Sequence, residues 1–215
     1  MKNAGWLVLV AAVVAVPAMQ GCIPVAAVGV GAFAASSAND RRTSGVQIDD
    51  EGIELRASNR VSERWGDKVH VNFTSYNRSV LLTCEVPDEA TKAAIAQVVG
   101  GITNVRGVSN ELAVGTPTAF SSRTNDSYIT SKVKARFVDA NTFNAFHVKV
   151  VTENSVVYLL GIVTEGEAKA ATDVARTTGG VRKVVRLFEF CKVTDEPCRP
   201  SAPPKPEAAK APAKP

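Results

Sequence analysis

Two runs of apolar positions in the same order occupy most of the chain. In the first, Ile53, Ala57 and Val61 recur at the spacing of one helix face. Val69, Val71 and Phe73 then alternate as on a half-buried strand, and residues 80–86 form the continuous apolar run of a central strand. Lys92-Ala93-Ala94 sits in a segment of high helix propensity that ends at Gly100-Gly101-Ile102, and a last strand is predicted over 105–112. The second run repeats this order. Ile129, Val133 and Phe137 give the helix face, Phe146, Val148 and Val150 the alternating strand, and 156–163 the central strand. Lys169-Ala170-Ala171 and Gly179-Gly180-Val181 follow, then a strand over 184–190. Asn77 and Asn154 mark matching turns, while Asp50-Glu51-Gly52-Ile53 and Asp126-Ser127-Tyr128-Ile129 open the two copies.

Each copy therefore predicts helix, strand, strand, helix, strand. The fold class is α+β: two tandem domains, each a small three-stranded mixed sheet covered by two helices. A unit this small is marginal alone, so a compact pair is expected, with the sheets' apolar faces covered. Phe146 aligns with Val69 and is expected in the core, leaving Phe143 as the exposed aromatic. Aligning the central strands sets Gly161 of the second copy against Glu85 of the first.

Ahead of the repeats, Lys2 precedes an apolar stretch over 6–16, too short to cross a bilayer, and Pro17 breaks it. Met19-Gln20-Gly21-Cys22 follows, with the cysteine placed for diacylglyceryl attachment. The expected organisation is a signal peptide over 1–21, a lipidated tether over 22–46, domains over 47–114 and 125–192, a linker over 115–124, and a Pro/Ala/Lys tail over 193–215. By analogy with enterobacterial lipoprotein sorting, Ile23 in place of an aspartate after the cysteine favours the outer membrane over the inner.

These features together resemble a known family. The double repeat behind a lipobox is similar to the dual-BON outer-membrane lipoproteins. Its most specific stretches are Asn125-Asp126-Ser127-Tyr128-Ile129-Thr130-Ser131-Lys132-Val133, and Val150-Val151-Thr152-Glu153-Asn154 through Gly161-Ile162-Val163-Thr164-Glu165. The resemblance implies a lipid-anchored protein facing the periplasm. It further implies binding of anionic phospholipid of the phosphatidylglycerol class through the second domain, in support of envelope integrity, with the division site as a candidate place of action. The competing expectation is a scaffold for an envelope-assembly or division protein.

Composition and charge narrow the chemistry. Of 215 residues 45% are hydrophobic and 21% charged, as in a globular protein, and a net charge of +4 is too small for a nucleic-acid binder. In the first helix of the second copy, Tyr128, Lys132 and Arg136 are spaced i, i+4, i+8 beside the apolar face, and no acid falls between them. The first copy has Gly52 in place of Tyr128. A ring with a polar tip among cations suits a membrane interface; a core-capping tyrosine on an ordinary solvated face is the alternative. The candidate lipid contacts are Tyr128, Lys132, Arg136 and Phe143. Cys191 and Cys198, seven positions apart, are spaced for a short disulfide or for two free thiols, whereas Cys84 reads as a small buried hydrophobe. His70 and His147 stand alone at matching points, with no metal ligand at useful spacing. No nucleophile elbow or phosphate-binding loop is present, so neither an enzyme nor a cofactor is expected.

Overall fold

The computed structural model describes residues 40–198. Cys22, the expected signal peptide and the residues from 199 onward lie outside the described residues. Helix α1 (Ser44–Trp65) starts where the Thr43 side chain accepts from Val46 N–H and stops at Gly66, whose φ of 56° suits glycine. Strands β1 (His70–Tyr76) and β2 (Ser79–Val86) form an antiparallel hairpin. Helix α2 (Glu89–Gly100), capped by Asp88, carries the chain across to β3 (Gly107–Asn110), which pairs parallel to β2. A further pair of residues, β4 (Ala113–Val114), joins β2 in the same direction. The second copy repeats this path with α3 (Phe120–Ala140), β5 (Lys149–Glu153), β6 (Val156–Val163), α4 (Glu165–Arg176) and β7 (Lys183–Phe190). Its sheet order is β5-β6-β7, with β7 parallel to β6. The α+β reading of two domains, each with a small mixed sheet and two helices, holds.

Each repeat closes its own core. Ile53, Ala57 and Val61 of α1 meet Val80, Leu82 and Val86 of β2 and Ile95 and Val99 of α2. Ile129, Val133 and Phe137 meet Val157, Leu159, Val163 and three buried alanines of α4 in the second. A third cluster lies between the repeats. Tyr76 and Leu81 of the first sheet pack on Tyr158 and Leu160 of the second, ringed by Val151, Val185 and Leu187. The sheet faces turned away from the helices thus cover one another.

Four boundaries differ from the expected ones. The last strand of the first copy is split into β3 and β4. The segment 115–124, expected as linker, is half helix, because α3 begins at Phe120. Part of the expected tether belongs to the body: α1 starts at Ser44, and residues 40–42 bond to both repeats. Finally, the strand expected through Phe146 begins only at Lys149. Residues Ala145–His147 form a 3-10 turn, because the Asn144 side chain accepts from Phe146 N–H at 3.0 Å and its carbonyl accepts from His147 N–H at 3.0 Å.

That turn explains Gly161. A Cβ there would collide with the carbonyl oxygen of His147, so only glycine lets the turn lie so close to β6. The register of the hairpins sets Cys84, not Glu85, at the equivalent place: counting from the two turns, Val71 pairs with Cys84, and Gly161 falls one pair past Lys149–Leu160. Cys84 adopts φ 82°, the left-handed region, and its Sγ lies 3.0 Å from Glu153 Oε2 of the other repeat. Gly161→Ala is expected to lower stability by about 1–3 kcal/mol through overpacking against backbone that has nowhere to move. Urea unfolding followed by circular dichroism checks this, and an unchanged midpoint would refute the close-approach argument.

Candidate functional site

Helix α3 presents Tyr128 to solvent, with the residue 62% exposed. One turn on, the Lys132 ammonium sits 4.6 Å from the centre of the Tyr128 ring, a cation–π pair. The same ammonium donates to the carbonyl of Gly179. That carbonyl is within reach because Gly180, at φ 100°, lets the loop after α4 press onto Ile129. The ring and the charge are therefore held as a unit on the surface, supported from behind by a glycine turn. Lys134 and Ala135 are also exposed, and Val138 is 65% exposed further along α3. In helical projection Tyr128, Ser131, Ala135 and Val138 share one outward stripe between Lys132 and Lys134.

Two of the expected contacts are committed elsewhere. Arg136 donates to Val174 O at 3.1 Å, Thr178 Oγ1 at 2.8 Å and Thr177 Oγ1 at 3.2 Å. These sit at the C-terminal end of α4, where helix carbonyls have no intrahelical partner, so the guanidinium serves as a cap joining α3 to α4. Phe143 packs edge-on against Phe137, ring centres 5.0 Å apart, and joins the second core. Phe146 is the aromatic left outside, 53% exposed. The two phenylalanines exchange the places expected of them, because the 3-10 turn shifts the inward-facing register before β5 begins.

The first repeat offers a different face. On α1 the exposed apolar side chains are Ile48 and Leu55, and Gly52 replaces the aromatic. Glu54 pairs with Lys149 of the second repeat at 3.3 Å instead of facing solvent among cations.

The start of the described chain is fixed to both repeats. Arg41 grips Glu167 through two bonds of 2.6 and 3.0 Å and donates to Ile162 O at 2.9 Å, all in the second repeat. Arg42 reaches Asp50 of α1 at 2.7 Å and stacks 4.2 Å from the centre of the Tyr76 ring. Glu167 also belongs to the capping box of α4, and His147 Nδ1 lies 3.1 Å from its Oε1. Burial would push the Glu167 carboxyl up, but the bonds from Arg41, Thr164 N–H and His147 outweigh it and hold the pKa at about 2. His147 is shifted down, by burial first and by the Arg41 charge nearby.

The remaining chemistry is structural. His70 lies 3.5 Å from Glu85, separate from His147 and its own carboxylate. Among the described residues no three histidine, cysteine or acidic side chains converge as a metal site requires. A disulfide joins Cys191 to Cys198, with Cα atoms 6.2 Å apart, closing the turn after β7. The most telling residues missed from sequence are Asp50 and Asp126. Both are buried, and both accept the two amides of the hairpin turn: Asn77 and Arg78 in the first repeat, Asn154 and Ser155 in the second, at 2.7–2.8 Å. Their signal was an aspartate at the same place in each copy of the opening motif.

Comparison with known sequences agrees with this architecture. The sequence profile of the BON domain matches residues 49–116 and 125–192. The outer membrane lipoprotein DolP of Haemophilus influenzae is 41% identical over 175 residues, covering 80% of this chain and 90% of the relative. A 21 kDa hemolysin of Actinobacillus pleuropneumoniae is 31% identical over 153 residues, 70% of this chain and 79% of its own. Among solved structures, the C-terminal domain of CdsD, a structural protein of the type III secretion system of Chlamydia trachomatis, aligns over 64% of this chain and 97% of its own. Its identity is 11% and its TM-score 0.28.

Proposed function

The chain belongs to the BON-domain family, as one of its two-domain outer-membrane lipoproteins, and on that footing we propose that it is anchored by acyl chains on Cys22, faces the periplasm, and binds anionic phospholipid through α3 of its second domain. The observation that carries the reading is the Tyr128–Lys132 pair: an exposed ring with an ammonium held over it, present in one repeat and absent from the other. The ring suits the headgroup layer, and Lys132 and Lys134 each add roughly 1 kcal/mol near an anionic surface. Such an interaction is weak in solution. Beside a lipid anchor it acts at high local concentration, where a weak contact is enough to report lipid composition or to hold the body flat. Support of envelope integrity, with the division site as one place of action, follows from this reading.

The test uses the mature chain with Cys22→Ser, so that the anchor does not mask the second contact. Its binding to phosphatidylglycerol-containing vesicles at low salt is expected to fall roughly tenfold in the Tyr128→Ala, Lys132→Ala variant, and in both chains to weaken as salt rises. Arg136 is left intact because its guanidinium caps α4. Equal flotation of the two chains with vesicles would sink the proposal. A second reading, a scaffold for an envelope-assembly or division protein, is favoured by Ile48 and Leu55, which stand 71% and 64% exposed on α1. It is the better reading if the flotation result is negative.

A further inference from the structure

The two repeats differ in what lies beside the aspartate that holds each hairpin turn. In the first, Arg42 fills the place: its guanidinium donates to Asp50 at 2.7 Å and lies 4.2 Å from the centre of the Tyr76 ring. Ser75 Oγ donates to the same carboxylate at 2.6 Å. The repeat sets Asp126 against Asp50, Thr152 against Ser75, Glu153 against Tyr76 and Thr118 against Arg42. Thr118 takes another course and donates to Glu85 of the first repeat. Thr152 Oγ1 pairs with Thr130 Oγ1 at 2.7 Å instead of with the aspartate. The counterpart of the Arg42 seat is therefore a hollow of about 280 Å³, with Asp126, Thr130, Thr152, Glu153, Arg123 and Asn72 among its walls.

Two of these walls have acceptor capacity to spare. Asp126 is 4% exposed, and its carboxylate accepts the two turn amides, where Asp50 accepts those amides, a hydroxyl and a guanidinium. Glu153 Oε2 accepts from the Cys84 thiol at 3.0 Å, whereas its Oε1 is buried and accepts no hydrogen bond among the described residues. A buried carboxylate oxygen without a donor is costly, and a charged donor offsets that cost best. Arg123 bonds to neither carboxylate; its Nη1 lies 3.5 Å from His70 Nε2. Two carboxylates against one guanidinium leave the walls acidic, which favours a cation.

We propose that this hollow is a socket for an arginine side chain carried by a partner polypeptide, held as the chain holds its own Arg42 in the first repeat. The inference goes beyond the phospholipid reading and does not depend on it. A guanidinium is planar and donates from several N–H groups in a fixed fork, so one side chain can meet Asp126 and Glu153 Oε1 together. Arg42 sets the precedent by meeting Asp40 and Asp50 at once. Glu153 supplies a charge where the first repeat supplies the face of Tyr76. Lysine fits less well, because its ammonium holds water more tightly and has no fork. The arginine comes from outside because Thr118, at the position of Arg42, is committed to Glu85.

Amide-resolved NMR of the mature chain carrying Cys22→Ser provides the test, with three peptides blocked at both ends: glycyl-arginyl-glycine and the same peptide with lysine or citrulline in the middle. The arginine peptide is expected to shift the amides of Glu153, Asn154 and Ser155 and to saturate. The citrulline peptide, equal in shape but uncharged, is expected to bind about tenfold more weakly, and the lysine peptide about threefold more weakly. The amides of Asn77 and Arg78 are the internal control, since Arg42 already fills their site, and they are expected to stay in place. Glu153→Gln keeps the side-chain shape and is expected to weaken the arginine peptide about fivefold, its fold being checked in the same spectrum. Absence of shifts with arginine, equal binding of citrulline, or equal shifts at the two turns overturns the socket. Lysine binding as tightly as arginine overturns the choice of side chain, and unchanged affinity in Glu153→Gln overturns the part given to that carboxylate.

Discussion

Replacing Asp50 by alanine is expected to destabilise the first repeat by about 3–5 kcal/mol. Its carboxylate sits 2% exposed and accepts four bonds: Ser75 Oγ at 2.6 Å, Asn77 N–H at 2.8 Å, Arg78 N–H at 2.7 Å and the Arg42 guanidinium at 2.7 Å. The two amides belong to a hairpin turn in which Asn77 and Arg78 both have positive φ, 50° and 65°. A right-handed strand twist favours such a turn, but each non-glycine residue held there costs about 1–2 kcal/mol. Asparagine tolerates the conformation better than arginine does. The aspartate thus anchors a strained turn to α1 and neutralises Arg42 as well. Asp126 accepts from Asn154 and Ser155 alone among these donor types, so Asp126→Ala is expected to cost about 2–3 kcal/mol. Asparagine at position 50 keeps only one acceptor oxygen and turns an amide toward Arg42, so it is no conservative exchange. Urea titrations of the two alanine variants give the comparison. Losses below about 1 kcal/mol at both sites would show that the turns do not depend on the carboxylates.

These aspartates show what the sequence did and did not disclose. Two copies of one helix–strand–strand–helix–strand unit were legible because the apolar periods change from helical to alternating at matching places. The α1 and α3 core faces came through residue by residue: Ile53, Ala57 and Val61, and Ile129, Val133 and Phe137, are all buried. Asp50 and Asp126 stood in the motif that opened both copies, but periodicity weighs apolar residues only. A buried carboxylate whose partners lie 27 to 29 positions away leaves no trace in a local pattern. The exchange of Phe143 and Phe146 has a related cause. Alternation was extended back from β5 by three residues, to Phe146, into a 3-10 turn that the Asn144 side chain caps.

The candidate site was legible in half. Tyr128 and Lys132 are adjacent on the surface, as a helix spacing of four requires. Arg136 continues the same spacing, but α4 ends beneath it, and the bare carbonyls of a helix terminus attract a guanidinium more strongly than solvent does. Helical spacing places side chains on a face; the neighbour that receives them is a tertiary fact. The same holds for residues 40–42, whose polar character read as tether until Glu167 and Asp50 supplied partners from both repeats.

Leu81→Asp is expected to divide one unfolding transition into two. Leu81 is 1% exposed in the cluster between the sheets, against Leu160 and Tyr158, and neither helix–sheet core includes it. Removing the leucine side chain alone would cost about 2–5 kcal/mol, and a carboxylate in its place adds a desolvation penalty of several more. That loss exceeds what the rim contacts between repeats can supply, since Asn77–Glu189, Arg106–Glu189 and Lys149–Glu54 are largely surface pairs worth up to about 1 kcal/mol each. The helical signal survives, because each repeat keeps its own core. The interface reports its opening through its tyrosines. Burial pushes the Tyr76 and Tyr158 phenols up to about 12, and exposure of the two sheet faces returns them toward about 10. Alkaline absorbance titration of the variant therefore shows two phenols ionising earlier, before the chain unfolds. The uncovered faces carry Val151, Ile162, Val185 and Leu187, so the variant also self-associates as its concentration rises. A single transition with unshifted tyrosines would mean that the sheets are held by something other than this cluster, and the contacts of Arg41 with Glu167 and of Arg42 with Asp50, which tie residues 41 and 42 to both repeats, would be the next to cut.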